Sequence, residues 1–74
     1  MNSESIRELL HRQPFEPFEI RMTNGDKHRI RHPELAMMAG SRLVVHYPET
    51  DRLAILSLLH AAAIEMAVPE SSAQ

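Results

Sequence analysis

The chain has no cysteine and no tryptophan, and its 74 residues include two phenylalanines, one tyrosine and two glycines. Without cysteine no disulfide can staple it, although folding of so short a chain hides only about 60 to 65% of its unfolded surface. A metal would have to be held by histidine and carboxylate alone. The scarcity of aromatics leaves little with which to stack nucleobases. Charge of one sign is lacking too: eight Lys and Arg stand against ten Asp and Glu, a formal net charge of -2. Nothing therefore draws the chain as a whole to nucleic acid or an anionic membrane, and such binding would need a local basic patch. No apolar run reaches the roughly 18 residues of a membrane-spanning helix. Met1 to Glu8 lacks the basic start and apolar core of a secretion signal, so the cytoplasm is the expected location. What is present is apolar aliphatic surface in a chain that is 43% hydrophobic. With no staple, self-association is the expected reinforcement.

Local signals set out one domain over residues 1–68, with 69–74 expected to be a disordered tail. Ser3 or Ser5 can cap a helix over 3–13, and Ser5 with Glu8 has the spacing of a capping box. Ile6, Leu9 and Leu10 share one stripe, and Pro14 stops the helix near His11 to Gln13. From Pro17 the period changes to two, with Phe18, Ile20 and Met22 on one face and Glu19, Arg21 and Thr23 on the other, which predicts a half-buried strand over 17–23. A two-residue Asn24-Gly25 turn would set Ile20 opposite Arg29 and mix the faces. A three-residue loop, Thr23-Asn24-Gly25 with Gly25 left-handed, instead pairs Phe18 with Ile30, Ile20 with His28 and Glu19 with Arg29. The second strand, 27–31, ends at His32-Pro33. Residues 33–40 read as an irregular turn that lays Leu35 and a methionine on the core, with Gly40 allowing the reversal. A third strand follows over 42–47, then the turn Pro48 to Asp51.

Residues 53–66 are apolar on both strand faces and also tolerate a helix. Alanine content favours the helix. The polar positions Arg52, Ser57, His60 and Glu65, however, scatter around a helical wheel and leave no single wet face. Two strands, 53–57 and 62–66, joined by Leu58-Leu59-His60, are the expected arrangement. Strands apolar on both faces suit a barrel covered outside by a neighbouring subunit, which makes Leu53, Ala54, Ile55, Leu56, Ala62 and Ile64 the candidate oligomer interface.

The order helix, strand, glycine turn, three strands, short turn and strand resembles the Sm-like small β-barrel, a bent five-stranded sheet of SH3-like type preceded by a helix. At finer grain, Pro14-Phe15-Glu16-Pro17-Phe18-Glu19-Ile20, Asn24-Gly25, His32-Pro33-Glu34, Leu43-Val44-Val45 and Leu59 to Glu65 resemble a group of small uncharacterised bacterial proteins. Those share a Pro-Phe-x-Pro-Phe start, a His-Pro-Glu segment and an Ile-Glu end. The Sm-like resemblance implies rings built by pairing the fourth and fifth strands, and single-stranded RNA as a ligand of many members. His60 is similar to the histidine of the Lys-His pair in bacterial Sm-like RNA chaperones, with Leu59 in the lysine's place. The Asp-x-Met-Asn type signature of the first Sm motif is missing.

For chemistry, Arg21, Lys27, Arg29 and Arg31 project from one face, and with His60 they form the candidate nucleic-acid surface. Glu19 and Asp26 offset part of that charge, so a solvated face is the competing reading. His28 and His32 are four apart, a chelating spacing on a helix. On a strand they lie about 13 Å apart, so no metal is expected; His28 reads as a half-buried sheet histidine bonded to backbone. The methionines read as core filler. No nucleophile elbow, phosphate loop or framed carboxylate pair is present, and neither catalysis nor a cofactor is expected. The functional expectation is a homo-oligomeric binding or scaffold module, with a single-stranded RNA-binding regulator as the alternative.

Overall fold

The computed structural model describes residues 1–66; the expected tail over 69–74 lies outside them. The helix α1 spans Ser3–His11, and its N-cap is Asn2, whose Oδ1 accepts the Glu4 amide at 2.7 Å. Ser3 and Ser5, the expected caps, lie inside the helix, because asparagine fits the extended N-cap geometry one residue earlier. Ile6 and Leu10 are buried, and Leu9 packs beside them.

Six strands follow: β1 Phe18–Met22, β2 Lys27–Ile30, β3 Ala36–Ala39, β4 Arg42–Tyr47, β5 Arg52–Ser57 and β6 Ala61–Met66. They form two antiparallel three-stranded sheets, ordered β2-β1-β6 and β3-β4-β5. The β1–β2 register is the expected one, with Phe18 opposite Ile30, Glu19 opposite Arg29 and Ile20 opposite His28. Gly25 closes that loop at φ +96, a conformation its missing side chain permits. The Asn24 Oδ1 accepts the Asp26 amide at 2.9 Å and fixes the turn. The long apolar segment is two strands, β5 and β6, joined by a 3-10 turn at Leu58–His60.

Residues 33–40 depart from expectation. Pro33–Leu35 is the 3-10 turn, but Ala36–Ala39 is a strand that pairs with β4 through the two-residue turn Gly40-Ser41. Ala-Met-Met-Ala carries no alternation, so its pairing to β4 could be read only from the fold. Met38 packs on the core, whereas Met37 points outward.

One cluster holds the sheets and helix together: Ile6 and Leu10 of α1, Phe18, Ile20 and Met22 of β1, Ile30 of β2, Leu43 and Val45 of β4, Leu56 of β5, and Leu58. Phe15 packs against it, its ring 6.1 Å from that of Phe18, and so ties the end of the helix to the first strand. Among the described residues no helix is long and apolar enough to cross a membrane.

Candidate interaction surfaces

The outward faces of the two sheets differ in chemistry. On β2-β1-β6 the outward positions carry Lys27, Arg29, Glu19, Arg21 and Glu65, and cross-strand pairing sets them against one another. Glu19 sits between Arg29 and Glu65, and Arg21 lies opposite Lys27. The Arg21 Nη1 reaches the Glu65 Oε2 at 3.7 Å. Arg31, just past β2, reaches the Glu49 Oε2 at 3.9 Å. Four of the five candidate nucleic-acid residues thus lie on or beside one sheet, with two of their charges paired. Such exposed pairs add little stability, but they lower the positive potential available to a phosphate.

His60 stands apart from that group. It ends the Leu58–His60 turn, and its carbonyl accepts the Thr23 amide at 2.8 Å, pinning the turn to the β1–β2 loop. There it lines an open cleft of about 460 Å³ with Asn24, Asp26, His28 and residues 55–57, and none of the four basic residues lines it. The fold separates these five residues into two places.

His28 is half-buried as expected, but its partner differs. The imidazole Nδ1 bonds the Tyr47 hydroxyl at 2.5 Å and not a backbone group. This half-buries Tyr47 as well, and burial pushes its phenol above the ordinary value of 10.0. A tyrosine held this way is not a free stacking platform.

The outward face of β3-β4-β5 is apolar at its centre. Met37 lies opposite Val44 and Val44 opposite Ile55, so the three form one row across three strands, with Leu53 two residues along β5. Met37, Ile55 and Leu53 are 60, 65 and 67% exposed, and Leu59, in the turn after β5, is 85% exposed. Because β5 and β6 each have one hydrogen-bonded neighbour, their outer edges are unpaired among the described residues. Of the candidate interface residues, Leu53, Ile55 and Ala62 are exposed and Ala54 and Ile64 are half-buried. Leu56 is the correction: opposite Leu43 and only 7% exposed, it belongs to the protomer's own core. Alternation along β5 sends Ala54 and Leu56 inward and Leu53 and Ile55 outward. Sequence reading missed Met37 and Val44 as surface residues because the strand that sets Met37 beside Val44 was itself not legible.

No protein-family model, characterised protein or solved structure matches the chain. The surfaces themselves carry the functional argument.

Proposed function

We propose that this chain is a non-enzymatic, homo-oligomeric binding or scaffold module of the small-barrel type, working in the cytoplasm. The observation that carries the reading is the unpaired edge of β5, on which Leu53 and Ile55 stand about two-thirds exposed beside Leu59. Apolar side chains flanking a free strand edge are a template for pairing with another chain, and soluble proteins normally blunt such edges with charge or proline. The only charged residue of β5 is Arg52, at its first position. The complementary edge is β6, where a groove of about 390 Å³ between α1 and the strand has Leu9, Ile64 and Met66 as its floor and Glu4, Glu8 and Arg12 on its wall, Arg12 pairing with Glu8 at 3.5 Å. Pairing β5 of one copy with β6 of the next would bring Arg52 toward these carboxylates and bury the leucine and isoleucine. Repeated around an axis, that contact closes a ring.

The strand order supports the barrel reading. If β2 and β3 are taken as one strand bent at Pro33–Leu35, the two sheets become a single five-stranded order, β6-β1-β2/β3-β4-β5. Single-stranded RNA is the weaker ligand, because Arg21 and Arg31 are ion-paired and His60 lies apart from the basic face. Light scattering tests the reading. A mass several times 8.4 kDa is expected, and a folded monomer at high micromolar concentration overturns it.

A further inference from the structure

The helix α1 is divided by charge. Glu4 and Glu8, one turn apart, line the groove against β6, where Arg12, just past the helix, pairs with Glu8 at 3.5 Å. Arg7 and His11, also one turn apart, line a second groove on the other side, against β3. This second groove, about 280 Å³, is floored by Leu10, Ala36 and Met38 and flanked by Pro33 and Met37, with no carboxylate among the described residues that line it. Neither Arg7 nor Arg42, which stands on the outward face of the same sheet opposite Ala39, is ion-paired to any described residue. In a chain with more acids than bases, the charged and titratable side chains that line this apolar groove among the described residues are thus Arg7 and His11.

The groove also lies along an open edge. Among the described residues β3 is hydrogen-bonded to β4 alone, and no strand of them lies on its other side. The Ala36 amide turns back to the Pro33 carbonyl, which leaves the edge at Met37–Ala39. Beside it Met37 begins the outward apolar row that continues to Val44 and Ile55.

We propose that the β3 edge, roofed by α1, is a docking site for an extended acidic and aliphatic peptide segment of a partner protein, bound by strand addition. This rests on the reading of the chain as a binding module and names the chemistry of its partner. An added strand makes main-chain bonds to the β3 edge, and alternate side chains go to opposite faces. One set meets the Leu10, Ala36 and Met38 floor, which selects aliphatic residues. The other flanks Met37 at the surface. Carboxylates on the segment reach Arg7, His11 and Arg42, none of which is ion-paired to a described residue. A nucleic acid would use the same cations, but it leaves the strand edge unpaired and finds no exposed aromatic in the groove.

The test pans a phage-displayed library of random peptides on the full-length protein. Enriched sequences should alternate aliphatic residues with Asp or Glu and lack proline at the centre. A synthetic peptide from that pool should perturb the backbone amides of residues 36–39 and of Arg7 in nuclear magnetic resonance spectra. Met37→Glu and Arg7→Glu, both at exposed positions, should each weaken its binding about tenfold or more while circular dichroism and oligomer mass stay at wild-type values. Ile55→Glu should do the reverse, lowering the mass with peptide affinity kept, so failure of self-association and failure of this site are read separately. The proposal is overturned by no enrichment over the Arg7→Glu control, by enrichment of cationic or proline-rich sequences, by amide shifts confined to β5, or by a uridine oligonucleotide that binds the same residues more tightly.

Discussion

The Nδ1 of His28, on β2, lies 2.5 Å from the hydroxyl oxygen of Tyr47, the last residue of β4, and this bond joins one sheet to the other. Among the described residues no other side-chain hydrogen bond links a strand of one sheet to a strand of the other. The imidazole tautomer sets the direction of this bond: Nδ1 accepts from the phenol when the ring proton is on Nε2 and donates to the phenol oxygen when it is on Nδ1. The bond is half-buried, so removing either partner leaves the other poorly solvated.

Tyr47→Phe and His28→Ala should each destabilise the fold, and the double variant should lose less than the sum. The coupling expected for a half-buried neutral bond is about 0.5 to 1.5 kcal/mol. Urea unfolding at one fixed protein concentration measures it, because self-association would otherwise shift the midpoint. Strict additivity would mean that the bond contributes nothing to stability.

Alkaline pH offers a second readout. Burial raises the Tyr47 phenol in the folded state above 10.0, so the folded chain holds its proton where the unfolded chain releases it. Stability from this group is complete below about pH 10 and declines as pH rises through the higher folded value. Tyr47 is the sole tyrosine, so phenolate absorbance follows it alone, and Tyr47→Phe should remove this contribution to the decline. An absorbance midpoint at or below the free-phenol value would contradict the buried environment.

On β5 two neighbouring substitutions should behave oppositely. Ile55→Glu, outward and 65% exposed, should lower the oligomer mass and leave circular dichroism close to wild type. Leu56→Ala, inward and 7% exposed, should cost about 2 to 5 kcal/mol of folding stability through the cavity it leaves. Equal effects on mass and stability would show that the two faces are not separated as described.

Gly25 adopts φ +96 in the β1–β2 loop, with open space where a Cβ would stand. Any penalty for Gly25→Ala is therefore conformational and not steric against neighbours. A loss of about 1 to 2 kcal/mol is expected, read by thermal unfolding. A neutral or stabilising result would mean that the loop relaxes to negative φ.

For the basic face the expected outcome is weak, salt-sensitive binding. If Arg21, Lys27, Arg29 and Arg31 all engaged single-stranded RNA, affinity would fall with salt at a log-log slope of about -2 to -3. Submicromolar binding at physiological salt, lost in the Arg29→Ala and Arg31→Ala double variant with the oligomer intact, would promote the RNA-binding reading over the scaffold one.

The sequence by itself determined the elements whose signals are local. Alternation from Phe18 to Met22, closed by Asn24-Gly25, set both the hairpin and its register, because one register alone keeps Phe18, Ile20 and Ile30 on a common face. Pro14 ended the helix, and the scattered polar positions over 53–66 argued for two strands. Only the tertiary structure decided the rest. Ala36–Ala39 becomes a strand because β4 offers it a partner, a long-range fact that four apolar residues do not encode. Leu56 and Ile55 differ by one position and look alike in sequence, yet pairing of β5 with β4 sends one inward and the other to solvent. His28 turns from a backbone partner to Tyr47 because the two sheets meet there. The basic residues share a strand pattern, but the carboxylates of Glu65 and Glu49 that pair with two of them come from distant parts of the chain. Local periodicity fixes which side chains share a face; only packing brings two distant faces together and decides which remain uncovered.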